Sequence, residues 1–281
     1  MKETAQEDDQ LADETSCPFP ISSTSTSTQL DQSCLQPSFE FSERFLSSDV
    51  CKRVMQKVDL GLDPSSEHFA ERHKAIRFVT VINRRVQCFS QDYFVQNEDY
   101  NDFSGGYKRH YKLIEEDACI ALQETVLKFT DYYSIPEKTV ILLQIQTSIV
   151  KTQHKMRRES VTGQGIHTDG ADHALLVCLH RGSGVEGAMN QFHANLDGSE
   201  PLCEPKILEQ GTAAFFKDNE LYHHVSPICL NEAMSSSEKD GNTRTILLLH
   251  SPAEIYMQGF SNKLNLLTRR DSAVKLRRSS V

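Results

Sequence analysis

Thr139-Val140-Ile141-Leu142-Leu143-Gln144-Ile145-Gln146-Thr147-Ser148-Ile149-Val150 reads as a β-strand: it is rich in branched and apolar residues, and no glycine or proline interrupts it. Segments of the same kind follow, from His173 to Leu179, Ala188 to Phe192, Gly211 to Phe216, Leu221 to Ile228 and Arg244 to His250. Gly, Asn, Asp and Pro punctuate them, which is the signature of a sandwich or barrel. The expected fold is mainly β with flanking helices, a double-stranded β-helix or jelly roll whose core occupies residues 136–258.

Toward the N-terminus, Ile76 to Ile82 predicts a further strand, ending at Asn83. Phe41, Phe45, Leu46, Val50, Val54, Met55 and Val58 recur at helical spacing, which predicts a helix in the stretch that begins at Phe39. Leu113 to Tyr133 reads as a long helix, stopped ahead of Ser134-Ile135-Pro136 and packed on a sheet. Residues 39–135 are thus a helical N-terminal part of a domain spanning 39–258. Residues 1–38 contain Ser22-Ser23-Thr24-Ser25-Thr26-Ser27-Thr28 and lack apolar periodicity, so a disordered arm is expected. Residues 259–281 carry Arg269, Arg270, Lys275, Arg277 and Arg278, a basic tail read as solvated.

A length of 281 residues with 38% hydrophobic composition suits one catalytic domain with tails. The net charge of −9 argues against binding nucleic acid or an anionic membrane surface, and favours small-molecule chemistry. No apolar run is long enough to cross a bilayer, and the first thirty residues do not read as a secretory signal. The eight cysteines form no Cys-x-x-Cys pair, which points to a reduced, cytoplasmic setting.

Between the strand at 139–150 and the one at 173–179 stands Gly165-Ile166-His167-Thr168-Asp169-Gly170. On an extended segment the spacing of His167 and Asp169 turns both side chains to one side of the backbone. A third ligand from a later strand would complete two imidazoles and a carboxylate, a set that holds Fe(II) and leaves positions open for oxygen and an organic co-substrate. In Leu221-Tyr222-His223-His224-Val225-Ser226-Pro227, alternation puts His223 with Leu221 and Val225 on the more apolar face, so His223 is the expected ligand and His224 is not. Arg244 opens the apolar run Thr245-Ile246-Leu247-Leu248-Leu249, where a guanidinium needs solvent or a partner; a dicarboxylic co-substrate such as 2-oxoglutarate would be one. His154, His173, His180, His193 and His250 leave a zinc site conceivable, but no His-Glu-x-x-His or zinc-finger spacing is present. Nucleophile-elbow, phosphate-loop and dinucleotide-turn motifs are also missing.

These stretches, with Asp218 through His223-His224-Val225-Ser226-Pro227-Ile228, resemble the iron and 2-oxoglutarate dependent dioxygenases. Within that group they are similar to the bacterial-type family of free amino-acid hydroxylases, isoleucine dioxygenase among them. The family pattern Gly-x-His-x-Asp-Gly, then Asp-x-x-x-x-His-x-Val-Thr/Ser-Pro, falls on His167, Asp169 and His223, and the resemblance extends over residues 75–250. It includes Phe103-Ser104-Gly105-Gly106-Tyr107-Lys108-Arg109, and departs from the pattern in the polar insertion Asn231 to Asn242 and in the basic lead before His167. The resemblance implies Fe(II) at His167, Asp169 and His223, 2-oxoglutarate at Arg244, O2 as second co-substrate, and succinate and CO2 as co-products. It further implies hydroxylation of an aliphatic carbon of a free amino acid, with Arg109 and Gln146 as substrate-binding candidates. A protein side chain as substrate, or a non-catalytic jelly-roll module, are the alternatives; the complete set His167, Asp169, His223 and Arg244 speaks against the latter.

Overall fold

Alternate residues of each long strand meet different surroundings, and this division builds the molecule. The computed structural model describes residues 37–64, 70–101, 105–151, 159–162, 164–231 and 241–257. The arm expected over 1–38 lies outside the described residues up to residue 36, as do the basic tail 259–281 and positions 232–240 of the polar insertion. In chain order the first elements are β1 (Phe39–Ser42), α1 (Ser48–Met55), β2 (Gly61–Leu62), β3 (Glu71–Ile82) and β4 (Arg85–Cys88). The short strands β5 (Tyr93–Phe94), β6 (Arg109–His110) and β7 (Lys112–Leu113) lead to α2 (Glu116–Ala121), α3 (Gln123–Tyr132) and β8 (Ile141–Ile149). There follow β9 (His173–Arg181), β10 (Val185–Gly187), β11 (Met189–His193), β12 (Lys206–Ile207) and β13 (Ala213–Phe216). The last are β14 (Tyr222–Val225), β15 (Ile228–Leu230), β16 (Thr243–Ser251) and α4 (Glu254–Met257).

The larger sheet runs β1-β13-β9-β16-β8-β3-β2, with β4 and β7 also paired to β3. The second layer consists of β12-β11-β14 and β10-β15. Bridges from His167 to His223 and from Glu159 to Ile228 add these two points of the chain between β8 and β9 to it. From β8 onward the chain therefore passes back and forth between two layers, as a double-stranded β-helix does, and the jelly roll expected from the strand pattern is the fold.

One face of the large sheet packs on the helices. Ile141, Leu143, Ile145, Leu175, Val177, Leu247 and Leu249 form a single cluster there with Cys51 and Val54 of α1, Ala118 of α2, and Val126 and Phe129 of α3. The other face looks into the roll, where Ala174, Leu176, Cys178 and Ile246 meet Phe192 and Phe216. No helix among the described residues is long and apolar enough to cross a membrane.

Three elements depart from the expectations. Phe39 to Ser42 is a strand, not the start of a helix, because it pairs antiparallel with Ala213–Phe216; the helix waits for Ser47, whose hydroxyl caps it by accepting from the Val50 N–H. The long helix expected over 113–133 is two helices that meet at Leu122, and Lys112 and Leu113 pair in parallel with β3 instead. Strand β3 begins at Glu71, ahead of Ile76, because Glu71 to Lys74 continue the antiparallel ladder with β8. The helix-bearing N-terminal part and the roll thus share one sheet, and charged side chains from β3 reach its interior.

Leu247 is fully buried in the helix-side cluster. Leu247→Ala should cost roughly 2–5 kcal/mol of unfolding free energy, read from urea denaturation curves; a loss under about 1 kcal/mol would show that this face is not the tightly packed core described.

Candidate active site

Register decides which polar side chains line the interior. Along β16, Arg244, Ile246, Leu248 and His250 stand opposite Ser148, Gln146, Gln144 and Leu142 of β8. On the far side of β8 the same residues stand opposite Arg72, Lys74, Ile76 and Phe78 of β3. Most of these line one cavity between the layers, together with Gln96, Arg109, His167, Asp169, Phe192, Phe216, His223 and Tyr256.

His167 and His223 lock together through two backbone hydrogen bonds, His167 N to His223 O at 3.0 Å and His223 N to His167 O at 2.9 Å. Their rings lie 4.2 Å apart. Nδ1 of His167 is 3.0 Å from the Gly165 carbonyl, which can only accept, so that nitrogen carries the proton and Nε2 presents a lone pair. Nε2 of His167 is 3.7 Å from Oδ1 of Asp169, and Nε2 of His223 is 3.7 Å from Oδ2. The ligand atoms of His167, Asp169 and His223 all lie within 4.8 Å of one another. The ring of His224, one residue on, stands by His193 with centroids 6.5 Å apart.

A fully buried carboxylate, Asp218, sets the turn that carries Asp169. It accepts from the backbone N–H groups of Asp169 (3.1 Å), Gly170 (2.7 Å) and Ala171 (3.2 Å). Its Oδ1 also lies 3.3 Å from Nδ1 of His223, a charge contact without hydrogen-bond alignment. Gly170 has φ +92, and a Cβ there would come within 2.9 Å of the Tyr100 ring, so the turn requires glycine.

The sequence reading did not single out His250. It is 2% exposed, its Nε2 lies 3.0 Å from Oδ2 of Asp169 and its Nδ1 lies 3.0 Å from Nε2 of Gln144. The Gln144 amide can only donate, so His250 donates through Nε2 to the carboxylate. Gln96 donates to both the backbone and the side-chain oxygen of Asp169, and Tyr256 donates to the same backbone carbonyl. No local pattern could have marked these partners; only the positions of Gln144 and His250 on the inward face of strands hinted at them.

The electrostatics favour a receptive site. Burial alone would raise the Asp169 carboxyl, but the hydrogen bond from His250 and the fields of His250, His223 and His167 hold it well below the usual carboxylate range. Burial, with the His223 field behind it, lowers His167, which keeps that ring neutral at pH 7. At His223 burial also acts downward, yet the Asp218 and Asp169 carboxylates outweigh it and the net shift is up.

Arg244 is 2% exposed on the same cavity wall, and its Nε and Nη2 have no hydrogen-bond partner among the described residues. Burial pushes it down to about 10, so it stays charged at neutral pH. Arg109 and Gln146 also line the cavity, 3% and 5% exposed. Arg109 donates to Gln96 and lies over the Phe94 ring at 4.4 Å. The arrangement fits the groups implied by the residues: two imidazoles and one carboxylate converge as Fe(II) requires, and the orphaned N–H groups of Arg244 suit the carboxylate of a diacid.

Residues 57–250 match the family model described as 2OG-Fe dioxygenase. The fold is similar to that of a bsmA homologue from Methylobium petroleophilum PM1, at TM-score 0.57 and 16% identity, over 74% of this chain and 82% of that one. It is also similar to IDO from Bacillus thuringiensis, at TM-score 0.53 and 15% identity, over 76% of this chain and 89% of that one. No curated protein matches the chain in sequence.

Removing Asp218 would leave three N–H donors, that of the buried Ala171 and those of the half-buried Asp169 and Gly170, without their acceptor. Asp218→Ala should therefore lose roughly 3 kcal/mol or more of stability, measured by thermal and urea unfolding; near-wild-type stability would mean that the turn satisfies its donors in another way.

Proposed function

Because the chain belongs to the 2OG-Fe dioxygenase family, whose enzymes use Fe(II), 2-oxoglutarate and O2, we propose that it hydroxylates an aliphatic carbon of a free amino acid or a similar small molecule. His167, Asp169 and His223 hold the metal in this reading, and Arg244 holds the co-substrate. The observation that carries it is the convergence of three ligand atoms within 4.8 Å on a cavity wall that also presents a buried guanidinium whose Nε and Nη2 have no partner among the described residues.

Bound Fe(II) with 2-oxoglutarate and O2 supplies the oxidant that turns C–H into C–OH, with succinate and CO2 as co-products. The chain does the rest. His167 offers Nε2 because Nδ1 is engaged by Gly165, and Asp218 holds the turn that aims Asp169. His250 fixes the Asp169 carboxylate from behind, and Gln144 fixes the His250 tautomer. Arg244 pairs its planar N–H groups with the far carboxylate of the co-substrate. Leu176, Phe192, Phe216, Ile246 and Leu248 supply the apolar lining that excludes water. Arg109 and Gln146 take the polar groups of the substrate. The six described cysteines are free, which accords with a reducing, cytoplasmic setting.

The test is release of succinate from 2-oxoglutarate by the protein with Fe(II) in air, while aliphatic amino acids are screened for added oxygen by mass spectrometry. His167→Ala should abolish turnover and His224→Ala should retain it; the reverse pattern would overturn the choice of ligands. Arg244→Met should raise the KM for 2-oxoglutarate by on the order of tenfold or more, and an unchanged KM would remove Arg244 from the co-substrate subsite.

A further inference from the structure

Lys74 lies on the cavity wall and has no part in the chemistry above. It is 6% exposed, on β3, opposite Gln146 of β8, which in turn stands opposite Ile246 of β16. Two strand spacings separate β3 from the strand of Arg244, roughly 10 Å, so Lys74 and Arg244 are separate centres on a wall that also carries Arg72 and Arg109. Nζ of Lys74 lies over the rings of Phe94 at 4.8 Å and Tyr111 at 5.0 Å.

Those ring faces recover only part of what an ammonium loses on leaving water. No carboxylate of the described residues lies within ion-pair distance of Lys74. Asp63 is near, but its Oδ2 is held by Nε of Arg72 at 2.7 Å. Asp169 is the one acidic side chain lining the cavity among the described residues, and it is engaged by His250 and faces the two imidazoles. Burial pushes Lys74 down to about 7, against the upward fields of Asp63 and Asp169. The side chain is thus a desolvated amine without a counter-charge, protonated in about half of the molecules near neutral pH, and it lines the space where a substrate would sit.

Resting on the oxygenase reading above, we propose that Lys74 is the recognition group for a carboxylate of the substrate, and that this wall selects acids over amines. The charges of the site agree. Arg72 is paired with Asp63, Arg109 donates to the neutral Gln96, and Arg244 with the metal and its one carboxylate ligand would balance a bound diacid, so Lys74, with Arg109 beside it, would take its counter-ion from the substrate. A free amino acid satisfies Lys74 through its carboxylate, whereas its ammonium finds side-chain amides such as Gln146 and no free carboxylate among the described residues.

Three probes share one carbon skeleton and differ in charge: 4-methylpentanoate is an anion, L-leucine a zwitterion and L-leucinamide a cation. Each is titrated calorimetrically into the full chain loaded with Fe(II) and 2-oxoglutarate under nitrogen. The anion and the zwitterion should bind, and leucinamide should bind more weakly by on the order of tenfold or more. Lys74→Met should erase that difference and Lys74→Arg should keep it, with melting temperatures checking that both variants fold. Equal binding of leucinamide and 4-methylpentanoate, an unchanged ranking in Lys74→Met, or no binding by any probe would overturn the proposal. 2-Oxoglutarate is titrated into the same proteins to separate the two readings. Failure of the wild type to bind it counts against the oxygenase reading, whereas loss of its binding in Lys74→Met puts Lys74 in the co-substrate subsite and overturns this proposal.

Discussion

The carboxylate of Asp218, buried between two layers of the roll, ties together the segments that bear the candidate ligands. It takes three N–H groups from the turn at Asp169 to Ala171 and faces Nδ1 of His223 on β14. The two backbone hydrogen bonds between His167 and His223 close the same junction. Either segment moving alone would strand buried and half-buried donors and acceptors, a loss comparable to several hydrogen bonds. The glycine at position 170 follows from this constraint, since aiming three successive N–H groups at one carboxylate bends the backbone to a positive φ, beside the Tyr100 ring.

Stability and chemistry occupy opposite faces of the same strands. On β8, Ile141, Leu143 and Ile145 pack toward the helices, while Leu142, Gln144 and Gln146 line the cavity. On β16, Leu247 and Leu249 do the first task, and Arg244 and His250 stand on the other face. Burying a guanidinium, an ammonium and a carboxylate in one interior is costly. The helix-side cluster offsets that cost, and pairing absorbs part of it: Asp63 with Arg72, and His250 with Asp169. What stays unpaired, at Arg244 and Lys74, is where ligands gain most on arrival.

Much of this was legible in the residues alone. Branched and apolar composition between turn residues can be read in any short stretch, so the strand at 139–150 and the shorter strands after it followed from neighbours in sequence, and period-two alternation gave the preference for His223 over His224. The strand at Phe39 was not legible, because apolar residues at 39, 41, 45 and 46 suit a helix as well as a strand; pairing with β13 decided it. Apolar spacing over 113–133 suits one long helix, but Lys112 and Leu113 join the ladder of β3. In sequence His250 is one histidine among several.

By itself the sequence determined the strand pattern, the roll it forms, the His-x-Asp segment with its later histidine, and the arginine on the last strand, since each depends on spacing within a few residues. Only the tertiary structure decided that His250 grips Asp169, that Asp218 organises the turn, that Arg109 and Gln146 share a cavity with the triad, and that Lys74 enters it without a counter-charge. Those pairings join strands far apart in the chain, and the register between such strands is set by the packing of both sheet faces at once.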